Sequence, residues 1–230
     1  MCGRYVLLTP PRRLVEVFGT TVPENTGPRW NIAPAQGIGL VRREGNLRAW
    51  VVATWGLVPF WAREFKPGPI NARIETVAEK PTFREALRRR RCLVPASAWY
   101  EWTGEGRQKQ AWVMEPVDGE PVAFAGLWEV WGEGTARRET VTFLTTAATG
   151  RLAEIHHRMP VWLSPDVWEA WLDPEMTEPA RVLRCVRAAP DGWVQPRRVG
   201  KAVHRAGFEG PECLLGPEEN SSGGQLGLFE

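Results

Sequence analysis

The chain has 230 residues, 43% hydrophobic and 24% charged, which excludes disordered and fibrous classes; no apolar run approaches the roughly 20 residues needed to span a bilayer. Its formal charge of +2 hides an asymmetry. Glu218, Glu219 and Glu230 face no Lys or Arg after Gly216, so residues 1–216 carry +5.

In chain order, Leu14, Val17 and Phe18 at helical spacing after Pro10 and Pro11 predict a first short helix. Two β-prone runs follow, 38–41 and 47–52, joined across Glu44-Gly45-Asn46 as a hairpin. Further strands are expected near 92–95, 111–114, 122–128, 140–145 and 159–163. Helical patterns cover 81–90, 148–155, 165–172 and 179–187. With no βαβ alternation and no internal repeat, the fold class is α+β: a largely antiparallel, barrel-like sheet with flanking helices. No linker interrupts residues 1–216, which read as a single domain. From Gly216 the composition becomes that of a flexible tether, ending in Gln225-Leu226-Gly227-Leu228-Phe229-Glu230.

The N-terminus holds only a four-residue apolar stretch before Pro10, short of the roughly 7 that a secretory signal needs, so export is not expected. The cysteines at 2, 92, 185 and 213 share no close spacing, which indicates neither a metal knuckle nor a disulfide scaffold and fits a reducing cytoplasm. Among 29 basic residues only Lys66, Lys80, Lys109 and Lys201 are lysines, and 13 tryptophans accompany them. Guanidinium forks grip phosphates and indoles stack on bases, so a nucleic-acid surface is one reading. Core tryptophans and an arginine-biased genome are the other. The run Arg88 to Arg91 ends a predicted helix, where cations favour the dipole, and reads as a structural cluster before a DNA contact.

Cys2 is the most unusual feature. A small residue after Met1 permits removal of the methionine, and Cys2 then carries an α-amine of pKa about 7.7–8.0 beside a thiol of about 8.5. Such a 1,2-aminothiol condenses with an aldehyde to an imine, which the sulfur closes to a thiazolidine. Three polar residues lie in otherwise apolar segments: Asn71 in Pro69-Ile70-Asn71-Ala72, Glu101 in Trp99-Tyr100-Glu101-Trp102, and His156 in Ile155-His156-His157-Arg158-Met159-Pro160. A carboxylate among aromatics is pushed toward neutrality by desolvation, and a histidine already titrates there. The alternative is that Asn71 satisfies a turn, Glu101 pairs with an arginine and His156 is a capped core histidine.

An ordered series of motifs runs through residues 2 to 215: Cys2-Gly3-Arg4-Tyr5, Trp30-Asn31-Ile32-Ala33-Pro34, Trp55-Gly56-Leu57-Val58-Pro59, Ile70-Asn71-Ala72-Arg73, Phe83-Arg84, Arg91-Cys92-Leu93-Val94-Pro95, Tyr100-Glu101-Trp102, Phe124-Ala125-Gly126-Leu127-Trp128 and Ile155-His156-His157-Arg158-Met159-Pro160. Together these resemble the SOS response-associated peptidase family, whose members share an SRAP domain. The resemblance implies a sensor of abasic sites in single-stranded DNA, acting in the DNA damage response and crosslinking to the site through its N-terminal cysteine. By the same resemblance Cys2 is the nucleophile, Asn71 and Glu101 stand beside the sugar and α-amine, and His156 transfers protons. Arg4, Arg73, Arg84 and Arg158 are expected on phosphates, with Trp55 and Trp61 near the motif that stacks or wedges bases. His157 replaces the acidic residue expected between the family's His and Arg.

The expected state is a monomer without metal or cofactor, in the cytoplasm with the nucleoid. Gln225, Leu226, Leu228 and Phe229 resemble the short peptide by which bacterial repair proteins dock on the sliding clamp, and packing of the tail on its own domain is the alternative. Two further function classes stay open. One is a cysteine peptidase using Cys2 and His156, including removal of its own Met1; the other is a noncovalent reader of modified DNA bases.

Overall fold

The structure, a computed structural model, describes residues 2–186, 189 and 192–217, with Arg107 described in its backbone alone. In chain order it runs β1 (Tyr5–Leu7), α1 (Pro11–Phe18), β2 (Arg29–Ile32), β3 (Gly37–Glu44), β4 (Leu47–Trp55), β5 (Asn71–Arg73), α2 (Arg84–Arg89), β6 (Arg91–Ala96) and β7 (Ala98–Thr103). The second half adds β8 (Gln110–Pro116), β9 (Val122–Trp131), β10 (Arg138–Ala147), α3 (Gly150–Ala153), β11 (Arg158–Pro160), α4 (Trp168–Leu172), α5 (Pro179–Leu183) and β12 (Val194–Val199), with short 3-10 turns between.

Five strands close on themselves in the order β4-β3-β6-β9-β10. Their pairings are antiparallel except where β10 meets β4 in parallel at Thr140↔Thr54 and Val141↔Trp55. The seam that closes the barrel is two residue pairs long. A second sheet, β12-β8-β7-β1-β2, is wholly antiparallel. The antiparallel, barrel-like α+β expectation is borne out.

Local chemistry explains the elements. Alternating burial along β3 sends Ile38 and Leu40 into the barrel, and Gly45 at φ +57 makes the two-residue turn into β4. At the far end of β4, Gly56 adopts φ +133, which turns the chain out into the loop carrying Phe60 and Trp61. Helix α1 begins with Pro11 and stops at Gly19, whose left-handed φ lets its N–H reach the Val15 carbonyl.

The core between the sheets holds Tyr5, Trp55, Phe124 and Phe143, with Trp55 and Phe143 stacked at 4.7 Å and Tyr5 edge-on to both. A smaller cluster around Tyr100, Val113, Val199 and Cys213 covers the other face of the second sheet. Trp55, Trp99, Trp168 and Trp171 are all buried, so part of the tryptophan excess is core. Arg91 is buried too, donating to the carbonyls of Leu87 and Trp171, and Arg90 pairs with the buried Glu129 at 2.8 Å. The arginine run is therefore structural at Arg90 and Arg91, while Arg88 and Arg89 stay exposed.

Five strands went unforeseen: β1, β2, β5, β7 and β12. Three are only three or four residues long, too short for periodicity to register. Strand β12 contains Pro196 and two arginines, which reads as loop; its edge position tolerates the missing N–H. The expected helices at 81–90 and 148–155 shrink to Arg84–Arg89 and Gly150–Ala153, and the strand at 159–163 to Arg158–Pro160. The clamp-like peptide 225–229 lies outside the described residues.

Candidate active site

The N-terminal segment runs antiparallel to β7, pairing Tyr5 with Trp99 and Val6 with Ala98. The Tyr100 N–H donates to the Arg4 carbonyl at 3.0 Å, so the same register continues outward and sets Gly3 opposite Glu101. Cys2 thereby reaches the space between the sheets. It is fully buried, and Sγ lies 3.7 Å from the Arg4 carbonyl.

Strand β10 carries two other members of the site on opposite edges. Beyond β4, its free edge takes β5 in parallel, Phe143 against Asn71; beyond β9, its other edge takes β11, Ala147 against Arg158. Asn71 donates from Nδ2 to the Cys2 carbonyl at 2.8 Å, while its buried Oδ1 accepts no hydrogen bond from the described residues. His156, just before β11, holds Nδ1 3.0 Å from both the Arg158 N–H and the Arg158 carbonyl. That nitrogen is 3.9 Å from Glu101 Oε2. The structure thus brings Cys2, Asn71, Glu101 and His156 together from four separate segments.

Burial sets the electrostatics. Glu101 is 3% exposed, and desolvation pushes its carboxyl up to about 7. The Cys2 thiol is raised well above its ordinary value, first by burial and then by the charge of Glu101. His156 is lowered, again chiefly by desolvation. Its ring stacks on the exposed His157 at 4.4 Å, with 29° between the planes. The inner imidazole faces Glu101 and the outer one faces solvent, which assigns the contact with the carboxylate to His156.

The predicted DNA contacts divide. Arg73 and Arg84 are exposed, Arg73 has no ion pair among the described residues, and Trp61 stands 55% exposed beside Phe60. Arg4 is half-buried, donating to Asn31 Oδ1 at 2.7 Å and the Val203 carbonyl at 3.0 Å, yet it lines an open cavity with Gly3. Two expectations fail. Trp55 is fully buried, donating from Nε1 to the Ile70 carbonyl at 2.9 Å, so its faces are unavailable to a base. Arg158 is 8% exposed and forks onto Glu75 at 2.6 and 2.9 Å, with the Thr145 carbonyl as a third acceptor, so both terminal nitrogens are engaged by the fold and Nε is buried. Trp102, Lys109, Lys201 and His204 gather near Arg4, which sequence reading missed because about a hundred residues separate the members.

Among the described residues no group of three or more His, Cys, Asp or Glu could hold a metal ion, and no helix is long and apolar enough to cross a membrane. All four cysteines are buried.

A family model described as SOS response associated peptidase (SRAP) matches residues 1–206. The chain is 37% identical to the abasic site processing protein YoqW of Bacillus subtilis over 222 residues, 93% of this chain and 99% of that protein. It is 29% identical to the abasic site processing protein YedK of Escherichia coli, again over 93% of this chain and 99% of the relative. A crystal structure of a Bacteroides thetaiotaomicron protein superposes with a TM-score of 0.83 at 21% identity, covering 94% and 99% of the two chains, which is a likeness of fold.

Proposed function

The chain belongs to the SOS response associated peptidase (SRAP) family, and from that premise we propose that it processes abasic sites, trapping them in single-stranded DNA as a covalent adduct of Cys2. The observation that carries this reading is the convergence of a titratable carboxyl, an imidazole and an amide on residue 2.

Once Met1 is removed, the amine of Cys2 attacks the aldehyde of the ring-opened abasic sugar. The carbinolamine loses water to give an imine, and the thiol adds to the imine carbon, its proton passing to nitrogen. One water leaves and a thiazolidine remains. Glu101 exchanges a proton near neutrality, so it deprotonates the amine and protonates the departing hydroxyl. His156, in reach of Glu101, relays that proton and serves ring opening of the sugar or reversal of the adduct. Asn71 fixes the residue by its carbonyl, and the unengaged Oδ1 is left for a donor from the sugar.

A general cysteine peptidase is less well supported. Such an enzyme needs a thiolate, whereas the burial of Cys2 and the charge of Glu101 both favour the thiol. The test incubates mature protein with a single-stranded oligonucleotide bearing one abasic site and follows denaturing gels and intact mass. The expected product is a heat-stable adduct weighing protein plus DNA less one water, absent for Cys2→Ala. No adduct, or one that survives Cys2→Ala, overturns the proposal.

A further inference from the structure

Two of the chain's three histidines are neighbours in sequence and in space. The His156 and His157 rings stack with centroids 4.4 Å apart and 29° between their planes. The backbone is pinned on both sides: the His156 N–H donates to the Leu152 carbonyl at 2.9 Å, and the His157 carbonyl accepts from the Ala148 N–H at 3.1 Å. The inner ring meets Glu101 at 3.9 Å. The outer ring is exposed and makes no ion pair among the described residues.

The backbone supports the inner ring in either protonation state. Neutral, its Nδ1 accepts the Arg158 N–H at 3.0 Å; protonated, the same nitrogen donates to the Arg158 carbonyl, also at 3.0 Å. The balance is then set by what surrounds the ring. Glu101, from β7, favours the imidazolium when it is ionised. Burial opposes it first, and the charges of the amino terminus, of His157 and of Arg158 follow in turn. These three charges differ in whether they change. Arg158 is permanently charged and forks onto Glu75. The amine becomes the ring nitrogen of the adduct. His157 gains and loses its proton directly with solvent, and it stays in place with or without the adduct.

We propose that His157 is a positioning residue for the relay: stacked on His156, it takes the first proton of the pair and so holds His156 neutral as the solution turns acid. The proposal rests on His156 as the proton relay of the covalent reading. Two imidazolium rings 4.4 Å apart repel each other, so one proton on the pair disfavours a second. The outer ring keeps its hydration when charged and the inner one loses part of it, which sends the first proton outward. The relay thereby keeps its capacity to accept a proton.

The test uses the full mature chain with His157→Phe, which keeps a flat ring and drops the charge, and His157→Arg, which keeps a flat charged group at every pH. Imidazole nitrogen NMR between about pH 5 and pH 9, without DNA, follows each histidine. His156→Gln identifies the His156 signal, and the distant His204 serves as internal standard. The His156 midpoint is expected to rise by about 0.5–1 pH unit in His157→Phe and to stay at or below wild type in His157→Arg. The sign is decisive, because a more apolar neighbour acting through burial alone lowers the midpoint. Adduct formation and reversal are then timed over the same pH range on a single-stranded oligonucleotide with one abasic site. The kinetic midpoint that matches His156 in wild type is expected to move with the NMR midpoint in His157→Phe. A His156 midpoint that stays or falls in His157→Phe, or that is equal in the two variants, overturns the proposal, and so does a kinetic midpoint that ignores the NMR shift. If the NMR midpoint rises in His157→Phe while wild type forms no adduct, the covalent reading fails and the coupling of the two rings stands.

Discussion

Glu101 Oε2 lies 3.9 Å from Nδ1 of His156, and the two groups move toward each other in proton affinity. Burial raises the carboxyl to about 7 and lowers the imidazole, so the surroundings of both groups favour the neutral pair, with the proton on the carboxyl.

The same shift has a stability signature. The carboxyl in the unfolded chain titrates near 4.5 and in the fold near 7, so its stabilising contribution is full below pH 4.5 and is lost as pH rises through 7. Glu101→Gln removes the charged form. Unfolding in urea is expected to show the variant gaining on wild type between pH 5 and pH 8, by up to about 3 kcal/mol. A difference that does not change with pH means the carboxyl is not desolvated. The adduct rate of this variant should fall while its noncovalent affinity for single-stranded DNA stays near wild type.

Asn71 anchors the Cys2 carbonyl through one hydrogen bond. Asn71→Ala is expected to slow adduct formation about 5- to 10-fold, the worth of one positioned hydrogen bond, when single-turnover rates are compared at saturating DNA. No slowing would show that residue 2 is held by its neighbours alone.

Two tryptophans six residues apart make opposite predictions. Trp61→Ala leaves the melting temperature nearly unchanged and weakens single-strand binding by about 1–3 kcal/mol if it carries one stacked base. Trp55→Ala opens a core cavity and costs about 3–5 kcal/mol of stability. Denaturant melts paired with anisotropy separate them, and a Trp55 variant of normal stability but weak binding would return that residue to the DNA surface.

Arg158 is a stability residue in the same sense. Arg158→Ala leaves half-exposed Glu75 without its guanidinium and takes one of two donors from the Thr145 carbonyl, which keeps the Ile74 N–H, with an expected loss of about 2 kcal/mol, below the value for a fully buried pair because water reaches the carboxylate. Full stability with lost DNA affinity would restore the phosphate role.

The clamp-like peptide 225–229 is tested by deleting the tail, residues 217–230. Their deletion should abolish clamp pull-down while crosslinking in vitro is unchanged; persistent pull-down disposes of the idea.

The sequence by itself determined the strand-rich class, the β3–β4 hairpin and the candidate for the reactive group. These are local facts: alternation, a glycine turn, and an amine next to a thiol all lie within a few residues. Asn71, Glu101 and His156 stood out for a local reason as well, since polar residues in apolar segments need partners. Tertiary structure decided who those partners are. The antiparallel register of β1 on β7 puts residue 2 beside Glu101, and the two edges of β10 bring in Asn71 and His156. It also withdrew Trp55 and Arg158 from the surface. A tryptophan and an arginine have the same chemistry in the core as outside it, and burial, set by the closure of the barrel, determines whether water, protein or a ligand meets them.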